Sequence, residues 1–182
     1  MNVHTSSART GTGRDDWRTP AKLLGAIERR TGLRLVLDTA CETATAFPGA
    51  RAVCATDRGC DGLAADWALS VVAARWSAPL CTDAAWCNPP YSQLRAWMRK
   101  CAAEGARIPV VALIPARTDT AAFHESVMTS AHSVLLLRGR VRFVGATAGA
   151  PFPSAVVVWL PGHRGGPRVE AWDWRVEVSH DD

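Results

Sequence analysis

The sequence has no Cys-x-x-Cys pair, no apolar window near the length of a membrane span and no internal repeat. Each absence excludes a class of protein. The six cysteines are Cys41, Cys54, Cys60, Cys81, Cys87 and Cys101. Their closest spacings, Cys54 to Cys60 and Cys81 to Cys87, do not match the hooks that hold structural zinc. Several of them lie in apolar runs, where a free thiol behaves as a small hydrophobe, so six reduced thiols and no metal are expected. A membrane helix needs roughly 20 consecutive apolar residues, which no segment supplies. With a polar N-terminus there is no secretory signal in view, and the expected address is the cytoplasm.

At 182 residues the chain is long enough for one domain with a true core and too short for two of ordinary size. An apolar share of 48% and a charged share of 21% are those of a folded globular chain. Residues 1–15, rich in Ser, Thr, Gly and Arg, read as a flexible basic arm, and residues 16–182 as a single domain. The net charge is +4, with arginines near the N-terminus and at Arg138, Arg140 and Arg142. This permits a polyanionic partner without demanding one, a solvated basic face being the alternative.

After the arm, Thr19 is placed to cap a helix whose first position is Pro20. Leu23, Leu24 and Ile27, with the stems of Lys22 and Arg30, form its apolar face, and Gly32 stops it. A first strand at Leu33 to Leu37 runs into Asp38-Thr39-Ala40-Cys41-Glu42, and a second at Ala52 to Ala55 leads to Asp61-Gly62-Leu63 and Asp66-Trp67. Leu69 to Ala74 is apolar but of undecided type. Leu94, Trp97, Met98 and Cys101 recur at helical spacing up to Gly105. Ile108 to Ile114 is the clearest strand, a continuous aliphatic run of the kind buried on both faces of a parallel sheet. Phe123, Val127 and Met128 suggest a further helix. Ser133 to Leu137 and Ala155 to Leu160 are expected to close the sheet as an antiparallel hairpin, with the segment of Trp172 and Trp174 an edge strand or a tail. Strands alternating with helices make this an α/β fold with a mixed, mainly parallel sheet and helices on both faces.

The unusual residues fall at the carboxyl ends of strands, where open α/β sheets hold their ligands. Asp38 follows the first strand and suits a ligand's amino group, capping of the next turn being the alternative. Arg117 follows the strand ending at Ile114. Between them Asn88-Pro89-Pro90-Tyr91 follows the apolar run Ala84-Ala85-Trp86-Cys87 and precedes a helix. The prolines fix φ and carry no N–H, so an amide, a carbonyl and an aromatic ring sit side by side on a stiff support. Such a turn can take a planar group bearing an exocyclic amine. The Asn88 oxygen and the Pro89 carbonyl accept its two N–H bonds, and Tyr91 stacks on the ring. Asp38, Asn88 and Arg117 are therefore expected to line one crevice.

From Trp17 to Trp159 the chain resembles the phage-type DNA N6-adenine methyltransferases. The resemblance rests on an ordered set of matches. These are Thr19-Pro20, Asp38-Thr39-Ala40, Asp61-Gly62-Leu63 with Asp66-Trp67, Trp86 to Ser92, Ile114 to Thr120 with Phe123-His124, and Arg138-Gly139-Arg140 with Phe143 and Pro153-Ser154. It implies a Rossmann-like fold and methyl transfer from S-adenosylmethionine to adenine N6 in DNA, with the base flipped out of the duplex. It assigns Asn88, Pro89, Pro90 and Tyr91 to the amine site. Thr19, Pro20, Asp38, Thr39, Ala40, Asp61, Gly62 and Leu63 fall to the cofactor, and Arg117, Arg138, Arg140 and Arg142 are candidates for phosphates or for ion pairs with acidic residues. Two features depart from the family. Asp38-Thr39-Ala40-Cys41 stands where a glycine-rich Phe-x-Gly-x-Gly would follow the first strand, and Ala122 stands where Trp would precede Phe123. The same block also serves N4-cytosine and glutamine-amide methylation, and a silent DNA-binding protein or a structural protein are the remaining alternatives. The chain has no room for a separate recognition domain, which leaves target recognition to loops, the arm or a second copy in a homodimer.

Overall fold

In the computed structural model, residues 18–41, 47, 49–74 and 82–176 are described; the arm at 1–15, Glu42 and Cys81 lie outside them. The apolar runs become β1 (Arg34–Cys41), β2 (Ala52–Ala55), β3 (Asp83–Cys87), β4 (Val110–Pro115), β5 (Ser133–Leu137), β6 (Ser154–Trp159) and β7 (Arg168–Trp172). These form one sheet in the order β2-β1-β3-β4-β6-β5-β7. β1 lies parallel to β2 and β3, and β3 parallel to β4. β6 then runs antiparallel between β4 and β5, and β7 lies parallel on the outer side of β5. The expected mixed sheet with its antiparallel pair is the observed one, and the tryptophan-bearing final segment is an edge strand.

Helices cover both faces. α1 (Ala21–Thr31) lies on one; α2 (Trp67–Ala73), α3 (Leu94–Gly105) and α4 (Ala121–Phe123), which widens into a π turn over His124–Met128, lie on the other. Strand alternation divides the core between them. Val110, Ala112 and Ile114 of β4 meet Trp67, Trp97, Met98 and Phe123, whereas Val111 and Leu113 join Leu23, Leu24 and Ile27 of α1. Each fully buried aliphatic side chain of this kind contributes roughly 1.5–3 kcal/mol. The undecided run at Leu69 is helical because Asp66 caps it, its carboxylate accepting from the Leu69 N–H at 3.0 Å, and Trp67 and Val71 bury its inner face.

Four expectations change. Thr19 makes no cap: Pro20 itself sits at the N-cap with ψ 134°, and α1 starts at Ala21. Gly32 does stop α1, in the left-handed conformation at φ 69°, but Lys22 and Arg30 are exposed, and the buried face is Leu23, Leu24, Ala26 and Ile27. β1 continues to Cys41, so Asp38 lies within the strand, where the pairing with β2 slips between Asp38 and Cys41. The thiols are not all reduced. A 3-10 turn at Thr56–Arg58 ends on Gly59 at φ 72°, returns the Cys60 N–H to the Ala55 carbonyl at 3.1 Å, and joins Cys60 to Cys54 in a disulfide. Sequence spacing argued against zinc but carried no information on this turn.

Candidate active site

β3 is buried along its whole length, and its chain emerges at Asn88. Pro89 is buried and Pro90 holds an extended φ, ψ of −62°, 125°. The Gln93 N–H bonds the Pro90 carbonyl at 3.1 Å, closing a 3-10 turn over Tyr91–Gln93 that feeds directly into α3. Among the described residues no donor takes the Pro89 carbonyl, which leaves it an acceptor at the carboxyl end of the sheet. The Tyr91 hydroxyl donates to Asn88 Oδ1 at 3.3 Å, orienting the amide. Burial pushes the Tyr91 phenol well above its usual range, so it stays a neutral donor. The four residues thus form one rigid acceptor unit.

Phe152 completes this corner. Its ring meets Tyr91 edge to face, with centroids 5.1 Å apart and planes at 84°. It arrives from the start of β6, where the Ala116 N–H bonds the Pro153 carbonyl at 2.9 Å and Ser154 pairs with Pro115. Sequence reasoning missed Phe152; the only signal for it was an aromatic held between Pro151 and Pro153. Below the turn, Cys87 and Cys101 are buried thiols, and burial together with the Cys87 contact holds Cys101 far above the usual range. They are packing groups, not nucleophiles.

On the other side of Asn88 lies Asp38. Burial pushes its carboxyl up to about 6, opposed by a bond from the Ala40 N–H at 3.3 Å. Among the described residues no cation pairs with it. Thr39 turns inward and donates to the Trp86 carbonyl at 2.9 Å, tying β1 to β3. The loop of Asp61, Gly62 and Leu63 presses on this point. A Cβ on Gly62 would stand 2.0 Å from the Thr39 carbonyl and 2.5 Å from the Trp97 ring, so only glycine fits. The Gly62 carbonyl accepts from the Trp67 indole at 2.8 Å, and Asp61 Oδ1 accepts from the Leu63 N–H at 2.9 Å. The structure therefore brings Asp38, Ala40 and the Asp61–Leu63 loop together, while spending the Thr39 side chain on the fold.

Thr19 and Pro20 lie just before α1, and the bond from the Val144 N–H to the neighbouring Arg18 carbonyl sets this segment beside the loop that follows β5, at the same carboxyl end. The Thr19 hydroxyl is buried and has no partner among the described residues. A buried orphan hydroxyl and a half-buried carboxylate with no cation beside it each leave hydrogen-bonding capacity for a ligand.

The arginines divide. Arg117, at the end of β4, and Arg140 have exposed guanidinium groups with no partner among the described residues. Arg142 bonds the Ala146 carbonyl through Nε at 3.0 Å. Arg138 lies 3.6 Å from Asp173, a carboxylate it shares with Arg175, and Arg175 also donates to the Arg138 carbonyl at 2.9 Å. Arg175, absent from the sequence reading, enlarges the basic cluster at the ends of β5 and β7.

A model of the family described as DNA N-6-adenine-methyltransferase (Dam) matches residues 6–156. The chain belongs to this family. Comparison with curated proteins and with solved structures gave no match. The Dam match spans the Asn88–Tyr91 turn, Asp38 with the Asp61–Leu63 loop and the loop after β5, and ends inside β6. Membership makes DNA the substrate and adenine the base. Among the described residues no helix is long and apolar enough to cross a membrane.

Proposed function

We propose that the chain transfers a methyl group from S-adenosylmethionine to the N6 amine of an adenine flipped out of DNA. The observation that carries this is the rigid pair of acceptors, Asn88 Oδ1 and the Pro89 carbonyl, at the end of a buried strand beside an aromatic corner. When bound, S-adenosylmethionine supplies a methyl group activated by its sulfonium charge.

The residues gathered around Asp38 fit that molecule. Asp38 would hold its ammonium, since a desolvated carboxylate with no cation of its own gains most from one. The Thr19 hydroxyl would bond its carboxylate end, and Leu63 with the Asp61 turn would border its adenine.

The amine of adenine is a poor nucleophile because its lone pair is delocalised into the ring. Asn88 Oδ1 has a lone pair beyond the one that Tyr91 uses, and with the Pro89 carbonyl it accepts both N–H bonds. Two acceptors on one side favour a tetrahedral nitrogen whose lone pair points away from them, towards the methyl group. The N–C bond forms as the S–C bond breaks, and the surplus proton leaves the nitrogen for water. No strong general base is required, and the rate comes from positioning and electrostatic fit. Tyr91 stacks on the flipped base with Phe152 at its edge. Arg117, Arg138, Arg140 and Arg142 would contact phosphates and set the register on the duplex.

Mass spectrometry of nucleosides from DNA treated with the protein and labelled S-adenosylmethionine tests this. The expected product is N6-methyladenine; label in N4-methylcytosine, or none in DNA, overturns the reading.

A further inference from the structure

The loop from 138 to 153 joins β5 to β6 and is more than a connection. Its outgoing arm alternates strictly: Arg140 and Arg142 are exposed while Val141 and Phe143 are buried against the α1 face. By that alternation the next position is an outward one, and it holds Val144, 55% exposed. The turn carrying Val144 is rigid. The Ala146 N–H bonds the Phe143 carbonyl at 3.1 Å, with Gly145 at φ 79° in the position of such a turn that demands a left-handed residue. The Val144 N–H bonds the Arg18 carbonyl at 2.9 Å, fastening the tip to the segment that starts α1. Behind the tip the two arms close on each other: Ala150 N–H bonds the Val141 carbonyl at 2.8 Å, and a Cβ on Gly149 would fall 2.8 Å from that of Arg140. The returning arm ends at Phe152, against Tyr91.

An apolar side chain is thus held at the apex of a braced turn, next to two outward arginines, on the loop that also walls the amine corner. Exposed apolar side chains occur elsewhere on the molecule, at Leu69 and Val72 among others. What sets Val144 apart is its place on a braced turn between outward arginines and the Tyr91 corner, which suits a protein that opens a duplex. Flipping a base leaves a gap in the stack, and apolar wedges inserted between base steps offset part of the unstacking cost.

We propose that Val144 is the wedge that enters the duplex and fills the space left by the flipped adenine, with Arg140 and Arg142 holding phosphates beside it. This rests on the reading of the chain as a base-flipping adenine methyltransferase. The Arg142 Nε bond to Ala146 ties that guanidinium to the turn and leaves its two terminal nitrogens without a hydrogen bond among the described residues.

The test compares Val144→Asp, Val144→Ser and Val144→Ile with the unaltered chain on two substrates. One is a duplex containing a methylated sequence mapped from treated DNA; in the other the target adenine faces an abasic position and is already unpaired. Val144 being exposed, all three variants should melt with the unaltered chain, and Val144→Ser gives the result if Val144→Asp folds poorly. On the intact duplex the Asp and Ser variants should lose about tenfold or more in kcat/KM, the equivalent of losing roughly 1.4 kcal/mol of unstacking compensation. They should recover to near the unaltered rate on the abasic duplex, and Val144→Ile should stay active on both. Equal rates for all variants on the intact duplex, or equal losses on both substrates, overturn the wedge while leaving the methyltransferase reading intact. If the unaltered chain transfers no methyl group to either DNA, that reading falls and the wedge with it.

Discussion

The two ends of the strands are built on opposite principles. At the amino end, charge is paired where it is buried. Arg34 and Asp83, the first residues of β1 and β3, face each other across the sheet, with Arg34 Nε 2.7 Å from a carboxylate that is 1% exposed. Near the end of α3, buried Glu104 is held by Lys100 at 2.8 Å and Arg107 at 3.2 Å. At the carboxyl end the groups stand without such partners: Asp38 without a cation, the Thr19 and Ser154 hydroxyls buried and unbonded, Arg117 and Arg140 without an acid among the described residues. A buried polar group without a partner costs stability, and Asp83 Oδ2 is one at the amino end too; the difference lies in charge, since Asp83 has its arginine while Asp38 has no cation among the described residues. Ligands are what would complete the carboxyl end.

Substitutions at each end should separate stability from activity. The largest effect is expected for Asn88→Ala, which removes one of the two acceptors proposed for the reacting nitrogen; methyl transfer should fall about 100- to 1,000-fold, as for other preorganised hydrogen-bonding groups. Calorimetry should find S-adenosylmethionine affinity near normal, and transfer at the unaltered rate would end the assignment. The converse comes from Arg34→Ala, which leaves Asp83 buried and unpaired. The cost should be about 2–3 kcal/mol, just below the range for broken buried pairs because Arg34 is partly exposed. It should appear as a lower Tm with kcat unchanged, and a kinetic effect without a melting effect would erase the contrast between the ends.

Asp38→Asn comes next, with S-adenosylmethionine affinity expected to weaken about tenfold through loss of a charge-assisted bond. Its pH dependence is sharper. The folded carboxyl titrates near 6, raised from 3.8 by burial, so the cation-binding form is complete above that pH and is lost below it. Affinity in the unaltered chain should fall as pH drops through about 6, and the Asn variant should show no such fall. The sign for stability is the reverse. A carboxyl with a raised pKa destabilises the unliganded fold at neutral pH, so the Asn variant should melt higher at pH 7 and lose that advantage as pH falls towards 3.8. Smallest of all, Arg140→Ala should weaken DNA binding a few-fold and reduce the salt slope by about one, with no sequence dependence. An unchanged slope in fluorescence anisotropy would remove Arg140 from the interface.

Much of this contrast was legible in the sequence. β4 and the Asn88–Tyr91 turn announced themselves because an unbroken aliphatic run and a double proline each have few structural solutions. The antiparallel entry of β6 followed from Gly and Pro between two apolar runs. What was hidden depended on distance in space. Phe152 meets Tyr91 from 61 residues away, and Gly62 is glycine because of Thr39 and Trp97, neither of them a sequence neighbour. The Cys54–Cys60 bridge required a left-handed Gly59 that cysteine spacing does not encode. Thr19 looked like a cap because Thr before Pro usually is one, yet here its hydroxyl is withheld from the helix.

One strand has a consequence for the order in which the molecule opens. β5 and β7 hydrogen-bond to the rest of the sheet only through β6, which arrives last of the three central neighbours and runs against them. The ladder bonds of the outer pair thus reach β4 through a single seam, and its other ties include the Arg30–Glu170 ion pair and the Val144 bond to Arg18. Loosening the β4–β6 seam would leave the basic flank held by those ties and its packing on α1, while β1 to β4 kept their pairing. Hydrogen exchange should see amides of β5 and β7 open together, at a lower free energy than those of β3 and β4.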